Sequence, residues 1–326
     1  MDSGLSATAR AHPNIALIKY WGNRDDALRL PANPSISFNL SGLETTTRVA
    51  FEPSLAADSI EIDGLAAQGP AAERVVRHLD HIRALSGQGA RASVVSRSNF
   101  PAGTGIASSA SAFASLTVAA CAASGLSLSE DHLSRIARLG SGSAARSIPD
   151  GFVALETGAH DEQAFAHSLA APTHWNLVDC IALVSREPKS VGSSEGHRLA
   201  ATSPLQLARV EDASRRFEAC RRAIQEKDFL QLAEVVEQDC LMMHAVMMTS
   251  RPSLLYWLPA TVRILHEVRE WRAHGLAAAF TVDAGPNVHC LCEAASLEQV
   301  VSRLSHIPEV TQVIVCHPAP GAVRVP

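Results

Sequence analysis

Lysine is nearly absent. Only Lys19, Lys189 and Lys227 occur among 28 basic residues in a chain of 326, the other 25 being arginines. There is no dense basic stretch, and 33 acidic residues bring the formal net charge to −5, so wholesale nucleic-acid or membrane-surface binding has little electrostatic support. Any anionic ligand must be held by local cations. No run of eighteen uncharged apolar residues occurs, and residues 1–10 lack a basic region followed by an apolar stretch, so the expectation is a cytoplasmic protein without a membrane span. The seven cysteines are an odd set in a chain too long to need staples, which predicts reduced, packed thiols rather than a disulfide framework. Internal repeats and low-complexity tracts are also missing. What remains is 47% apolar and 19% charged, enough to bury one large core or two moderate ones.

Alternating or β-branched patterns predict strands over residues 8–19, 35–40, 46–51 and 59–63, with Ser41-Gly42 as a hairpin turn between two of them. Helical spacing follows over 70–86, then a strand over 91–96 runs into a glycine-rich loop and a small-residue helix over 106–124. Ser129 is placed to cap a further helix reaching about residue 139. In the second half, a strand over 179–185 precedes an amphipathic helix over 228–248, in which Phe229, Leu232, Val236, Cys240, Met243 and Met247 recur at three- and four-residue intervals. Another helix over 258–274 leads to strands over 277–282 and 288–292, and a helix over 297–305 and a strand over 312–316 complete an α+β plan. The turn-rich region near residue 172 sets the expected division into domains 1–177 and 178–326.

The segment 99–110, Asn-Phe-Pro-Ala-Gly-Thr-Gly-Ile-Ala-Ser-Ser-Ala, follows a strand and opens a helix. Glycines there let backbone N–H groups converge, the helix N-terminus adds partial positive charge, and serine hydroxyls add donors or Mg ligands, so the chemistry is phosphate binding. A Walker loop would need lysine after Gly105, where Ile106 stands, and a dinucleotide fingerprint would want glycine at Ser108. A tight-packing turn is the plain alternative. Residues 140–147, Gly-Ser-Gly-Ser-Ala-Ala-Arg-Ser, repeat the arrangement and add Arg146, which could grip a carboxylate or phosphate bidentately. Asp283 sits in a Gly/Pro turn just after an apolar strand, where an ordinary Asx turn is the plain reading. Lys19 lies inside an apolar stretch, where a snorkelling side chain is the plain reading and a solvated charge is unexpected.

Two other patterns compete. Residues 192–196, Gly-Ser-Ser-Glu-Gly, match the hydrolase pattern around Ser194, with Asp283 and His289 or His317 in triad order, but residues 186–191 separate them from the preceding strand. His289, Cys290 and Cys292 could suggest metal, yet a strand with period two explains both cysteines as one packed face.

Residues 14–22 (Asn-Ile-Ala-Leu-Ile-Lys-Tyr-Trp-Gly), 101–110, 140–147 and 281–287 together resemble the diphosphomevalonate decarboxylases of the GHMP kinase superfamily, in the same order along nearly the whole chain. The resemblance implies a GHMP kinase fold of two domains, each with a largely antiparallel sheet against helices, the active site in the cleft between them, and a homodimer. It implies ATP and Mg as cofactors, phosphorylation of the 3-hydroxyl of a 5-phosphorylated mevalonate, and loss of phosphate and carbon dioxide to leave an isopentenyl product. Carried over by residue, Asp283 accepts or orients the hydroxyl proton, Arg146 grips the substrate carboxylate, and Lys19 steadies Asp283 or the developing phosphate charge. Tyr20, Asn23, Ser141, Gly142, Ser143, Ser193, His197, Arg198 and Ala284 are the expected substrate-binding residues. ATP is expected at Ser98, Asn99, Pro101, Gly103, Gly105, Ala107, Ser108 and Ser109, with Mg on ATP and on Ser108 or Ser109. One departure stands out: Asn23 occupies a place where the family typically has lysine, so a cation near the phosphate tail is gone. That favours a 5-monophosphate substrate unless Arg24, Arg48 or Arg198 compensates. Phosphomevalonate decarboxylase, mevalonate 3-kinase, a non-catalytic nucleotide-binding relative and a serine hydrolase are the alternatives.

Overall fold

The computed structural model describes residues 5–100, 106–187 and 191–326. Its first strand, β1 (Ser6–Ala11), turns Ala7, Ala9 and Ala11 inward. Pro13 then supplies no N–H for a ladder, so the single strand expected over 8–19 is two strands, and β2 (Asn14–Ile18), buried throughout, joins a different sheet. A short hairpin of β3 (Asn23–Asp25) and β4 (Leu30–Pro31) follows, then β5 (Ser35–Asn39) and β6 (Thr45–Glu52).

The expected hairpin at Ser41-Gly42 is a correction. Gly42 does turn the chain, with φ 77°, but β5 pairs with β2 whereas β6 pairs with β1. β5 is buried on both faces and must lie inside a covered sheet, so the turn carries the chain from one sheet to the next.

Next come β7 (Ser59–Ile62), β8 (Leu65–Ala66), α1 (Gly69–Ser86), β9 (Arg91–Ser98), α2 (Ser108–Ala123) and α3 (Glu130–Gly140). Ser129 caps α3 as expected, accepting from the backbone of His132. α2 lies on β1 and β6. Its buried alanines permit the close approach, and Thr45 and Thr47 of β6 bond Ser111 and Ser115 at 2.7 and 2.8 Å. Residues Gly142–Ser147 form a 3-10 turn, followed by β10 (Phe152–Leu155) and β11 (Ala166–Ala170), which extend the sheet of β5 and β2.

The second half contributes β12 (Leu177–Leu183), α4 (Ser193–Leu199), α5 (Gln206–Glu211), α6 (Ala213–Glu226), α7 (Phe229–Thr249), α8 (Pro259–Ala273), β13 (Ala278–Thr281), β14 (Val288–Glu293), α9 (Leu297–Ser305) and β15 (Gln312–Cys316). Four of these strands make an antiparallel sheet in the order β13-β14-β12-β15. Helices α4 to α6 have no counterpart in the sequence reading, although α6 runs to 14 residues. A last strand, β16 (Val323–Val325), returns to pair with β1 at the edge of the six-stranded sheet β16-β1-β6-β9-β7-β8. One apolar cluster joins Ile15, Phe38 and Phe152 to Leu177, Phe217, Val236 and Leu291, so the core is continuous across residue 177. The cysteines are buried thiols, with Cys290 and Cys292 both inward on β14.

Candidate active site

The motif residues converge because β2 ends at the junction of the two halves. The backbone there is gripped from the second half. Asp239 of α7 accepts from the Lys19 N–H at 2.6 Å, and Arg209 of α5 donates to the Lys19 carbonyl at 2.8 Å and the Trp21 carbonyl at 3.3 Å. Asn33 also donates to the Lys19 carbonyl, at 2.9 Å. Arg216 of α6 pairs with Asp239 at 2.8 Å, so the anion that fixes Lys19 is itself compensated.

Thus fixed, the Lys19 side chain is 1% exposed and its Nζ meets Asp283 Oδ1 at 2.5 Å. The turn between β13 and β14 is pinned beside it. Asn287 Oδ1 accepts from the Val184 and Ser185 N–H groups at 2.8 and 3.1 Å, and Thr261 donates to the Pro286 carbonyl at 2.6 Å. Asp283 therefore points its carboxylate at the lysine, with 22% of its side chain open to solvent, and the Asx-turn reading fails. Burial works against ionisation of Asp283, yet Lys19, His289 and Arg146 outweigh it and hold the carboxyl below the usual carboxylate value.

Arg146, 2% exposed, sits on the 3-10 turn, and its guanidinium donates to Ser37 at 3.0 Å, Ser35 at 2.7 Å and Asn14 at 3.3 Å. All three acceptors are neutral. Among the described residues no carboxylate comes within ion-pair distance of it. Burial lowers its pKa to about 10, so at neutral pH it is a charged group without a partner of opposite sign in contact.

Lys19, Asp283 and Arg146 line one cavity of about 340 Å³ together with Tyr20, Ala107, Ser108, Ser109, Ser141, Gly142, Ser143, Ser193, His197 and Ala284. Serine hydroxyls connect its floor: Ser109 and Ser141 lie 3.0 Å apart, Ser141 and Ser143 3.2 Å. A Cβ at Gly142 would fall 2.2 Å from the Tyr20 ring, so only glycine lets the two segments close. The His197 ring packs on Tyr20 and Trp21, with centroids 4.3 and 4.6 Å away, and accepts from the Gly22 N–H at 3.0 Å. Burial pushes the Tyr20 phenol up to about 12.

A second cavity of about 230 Å³ adjoins the first along Arg74, Ser108 and Ser109. Ile60, Ile62, Val75, Val94 and Leu116 give it apolar walls, and Thr47, Ser96 and Ser98 add hydroxyls. An apolar slot with hydroxyls, opening onto the N-terminus of the sixteen-residue helix α2, has the chemistry to take an apolar ring and its polar edge, with phosphates able to reach the helix end.

Other expected site residues lie elsewhere. Asn23 does not line the cavity: its amide accepts from the Tyr20 hydroxyl and donates to Asp26 at 2.7 Å. Asn99 is spent on the backbone of Gly42 and Glu44. Pro101, Gly103 and Gly105 lie outside the described residues. Arg24, Arg48 and Arg198 are exposed and off the cavity wall, Arg24 donating to the carbonyls of Thr157 and Gly158. Two further cations that line the cavity beside Lys19 and Arg146, namely Arg29 and Arg74, escaped the sequence reading, since neither belongs to a glycine-rich or periodic pattern. Burial, with Arg29 and Arg77 nearby, lowers the Arg74 pKa to about 10.

The hydrolase arrangement is not assembled. His289 is paired with Asp179 at 2.6 Å and Asp283 with Lys19, while Ser194 accepts from Arg29 at 3.4 Å.

The comparisons with known proteins run the same way. A family model described as diphosphomevalonate decarboxylase-like N-terminal domain matches residues 11–166, and one described as mevalonate 5-diphosphate decarboxylase C-terminal domain matches 180–318. The diphosphomevalonate decarboxylase of Candida albicans is 36% identical over 324 residues, covering 93% of this chain and 90% of that protein. The phosphomevalonate decarboxylase of Haloferax volcanii is 32% identical over 287 residues, covering 87% of each. A solved structure of MDDEF in complex with MVAPP, AMPPCP and magnesium superposes with a TM-score of 0.93 at 35% identity, over 98% of this chain and 99% of that one. With sequence and fold matching through both halves, the chain belongs to the diphosphomevalonate decarboxylase family, with its GHMP kinase fold.

Proposed function

We propose that the cavity catalyses the ATP-dependent decarboxylation of a 5-phosphorylated mevalonate, in the family's reaction diphosphomevalonate to isopentenyl diphosphate, ADP, phosphate and carbon dioxide. The observation that carries this reading is the pairing, across one cavity, of an ionised Asp283 held by Lys19 with a buried Arg146 that touches no carboxylate among the described residues. The first suits a hydroxyl proton, the second an incoming carboxylate.

Asp283 accepts the proton of the 3-hydroxyl as that oxygen becomes a nucleophile, and Lys19 keeps the carboxylate ionised and oriented. ATP supplies the phosphoryl group that turns the 3-oxygen into a leaving group. Mg, carried on the ATP phosphates with Ser108 or Ser109 as protein donors, would neutralise phosphate charge there. Arg146 holds the substrate carboxylate, and its rigid three-point seating on Ser35, Ser37 and Asn14 fixes that group relative to C3. When the C3–O bond breaks and phosphate departs, the C1–C2 electron pair forms the C2–C3 double bond and carbon dioxide leaves. Tyr20, Ser141, Ser143, Ser193 and His197 line the substrate side, and Ser98, Ser108 and Ser109 the nucleotide side. We assign residues 1–177 and 178–326 to the two domains of the fold. We further propose a homodimer in the cytoplasm; the family likeness supports the first, and the absence of any described helix long and apolar enough to cross a membrane is consistent with the second.

A second reading, mevalonate 5-phosphate as the substrate, is favoured by Asn23, whose neutral amide is engaged with Tyr20 and Asp26. The test offers mevalonate, its 5-phosphate and its 5-diphosphate with Mg-ATP and follows ADP and isopentenyl product. Preference for either phosphorylated substrate decides between the readings. ADP without decarboxylation would reduce the enzyme to a kinase, and no turnover with any of the three overturns the proposal.

A further inference from the structure

We propose that Arg29 is the residue that anchors the phosphate tail of the substrate. The proposal rests on the reading above and names the group that sets tail affinity.

Charge bookkeeping in the main cavity isolates it. Among the described residues, five ionised groups line that space: Lys19, Arg29, Arg74, Arg146 and Asp283. Lys19 and Asp283 pair with each other. Arg146 is the seat for a carboxylate. Arg74 leans on the Phe113 ring, 4.9 Å from its centroid, donates to the Gly140 carbonyl at 3.1 Å, and borders the apolar second cavity as well, which places it on the nucleotide side. Arg29 lines the main cavity alone.

Its own contacts leave the charge unanswered. Nε donates to the Leu139 carbonyl at 3.0 Å and one terminal nitrogen reaches Ser194 at 3.4 Å, both neutral oxygens. No carboxylate lies within ion-pair distance among the described residues. Burial lowers the Arg29 pKa, and Arg77 and Arg198 add to that while Tyr20 and Asp26 oppose it, so an arriving anion relieves an unfavourable field. The backbone commits the residue to this direction: Arg29 adopts φ 48° at the end of the β3–β4 turn, a left-handed conformation that a non-glycine side chain rarely takes. In the same hairpin, β3 sends Arg24 outward to Thr157 and Gly158 and ties Asn23 to Asp26. Of the side chains this hairpin offers, only Arg29 brings charge to the cavity. A guanidinium held by Nε at one edge presents its remaining N–H groups in a plane, the geometry that matches phosphoryl oxygens.

The experiment compares the wild-type chain with Arg29→Met and Arg29→Lys, using mevalonate, mevalonate 5-phosphate and mevalonate 5-diphosphate. For whichever phosphorylated substrate the wild type prefers, Arg29→Met is expected to raise KM at least about thirtyfold, with kcat within about threefold and KM for ATP unchanged. Arg29→Lys, which keeps the charge without the fork, is expected to fall between. Slow turnover of unphosphorylated mevalonate, where the wild type shows it, is expected to be untouched. Calorimetric binding of the same phosphorylated compound reports on the tail without turnover and should weaken in parallel. An unchanged KM and binding constant in Arg29→Met overturns the proposal, as does an equal loss with mevalonate, or a fall in kcat and a rise in KM for ATP that Arg29→Lys does not rescue. A wild-type chain that binds the phosphorylated compound but never decarboxylates it overturns the reaction assignment and leaves the Arg29 assignment standing.

Discussion

Breaking the Lys19–Asp283 pair from each side separates chemistry from folding. The two charges meet at 2.5 Å with Lys19 almost wholly enclosed, so Asp283→Asn strands a buried ammonium and Lys19→Met strands a carboxylate beside Arg146 and His289. Removing one member of a buried pair costs about 3–5 kcal/mol, and the solvent reaching a fifth of Asp283 puts these variants near the lower end, about 3 kcal/mol each. The double variant removes both charges, so its cost should fall short of the sum by at least about 1.5 kcal/mol. Turnover should behave differently. Asp283→Asn loses the group that takes the proton, a loss of about 10²- to 10⁴-fold, and adding Lys19→Met should cost little more because the two act as a unit. The depressed Asp283 pKa contributes stability above the unfolded carboxyl value that is lost as pH falls through the folded one. Lys19→Met removes the nearest opposing cation, so burial dominates and the acid limb of residual activity moves upward. Urea unfolding, pH–rate profiles and nucleotide binding by calorimetry read all of this. An Asp283→Asn enzyme within tenfold of wild type, or strictly additive stability losses, would refute the reasoning.

Arg146→Gln should retain nucleotide binding but raise KM and lower kcat, with decarboxylation suffering more than ADP release, because the carboxylate loses its seat; steady-state assay of both products decides it. Gly142→Ala places a methyl group inside the Tyr20 ring, so about 1–3 kcal/mol of stability and a rise in substrate KM are expected, measured by urea melts and kinetics. Burial lowers the pKa of His78 to about 3 and of His244 to about 4, so both stay neutral in the fold while the unfolded chain protonates near 6.5. Stability should therefore fall as pH drops below about 6.5, by about 1.4 kcal/mol per pH unit for each histidine, and His78→Gln should flatten that slope in urea melts at stepped pH. A fluorophosphonate probe should leave Ser194 unlabelled, its hydroxyl facing Arg29 rather than a histidine base.

The three residues we propose as catalytic, Lys19, Arg146 and Asp283, were legible because each sits in a local pattern with its own chemistry: a lysine in an apolar strand end, an arginine after Gly-Ser-Gly-Ser, an aspartate in a Gly/Pro turn. Helices α1, α2, α3, α7 and α8 were legible from spacing and caps, whereas α6, longer than α3, was not. Partnership was not. Ser41-Gly42 has hairpin chemistry, but the two-faced burial of β5 assigns its neighbours, and burial is a property of distant residues. Arg29 and Arg74 were invisible for the same reason. In a chain whose basic residues are nearly all arginine, an arginine beside a phosphate site looks like any other until the fold removes its carboxylate neighbours. Arg209 and Asp239, which position Lys19, act across about 190 and 220 residues of sequence.

Strand β16 lies on β1, so residues 6–11 are flanked on one side by a segment more than three hundred positions later. Such a pairing is among the least local a chain of this size can form, and its closure entropy opposes early formation. During synthesis the N-terminal sheet would thus wait with β1 as an open edge, exposed to pairing with other chains, until β16 emerges to cover it.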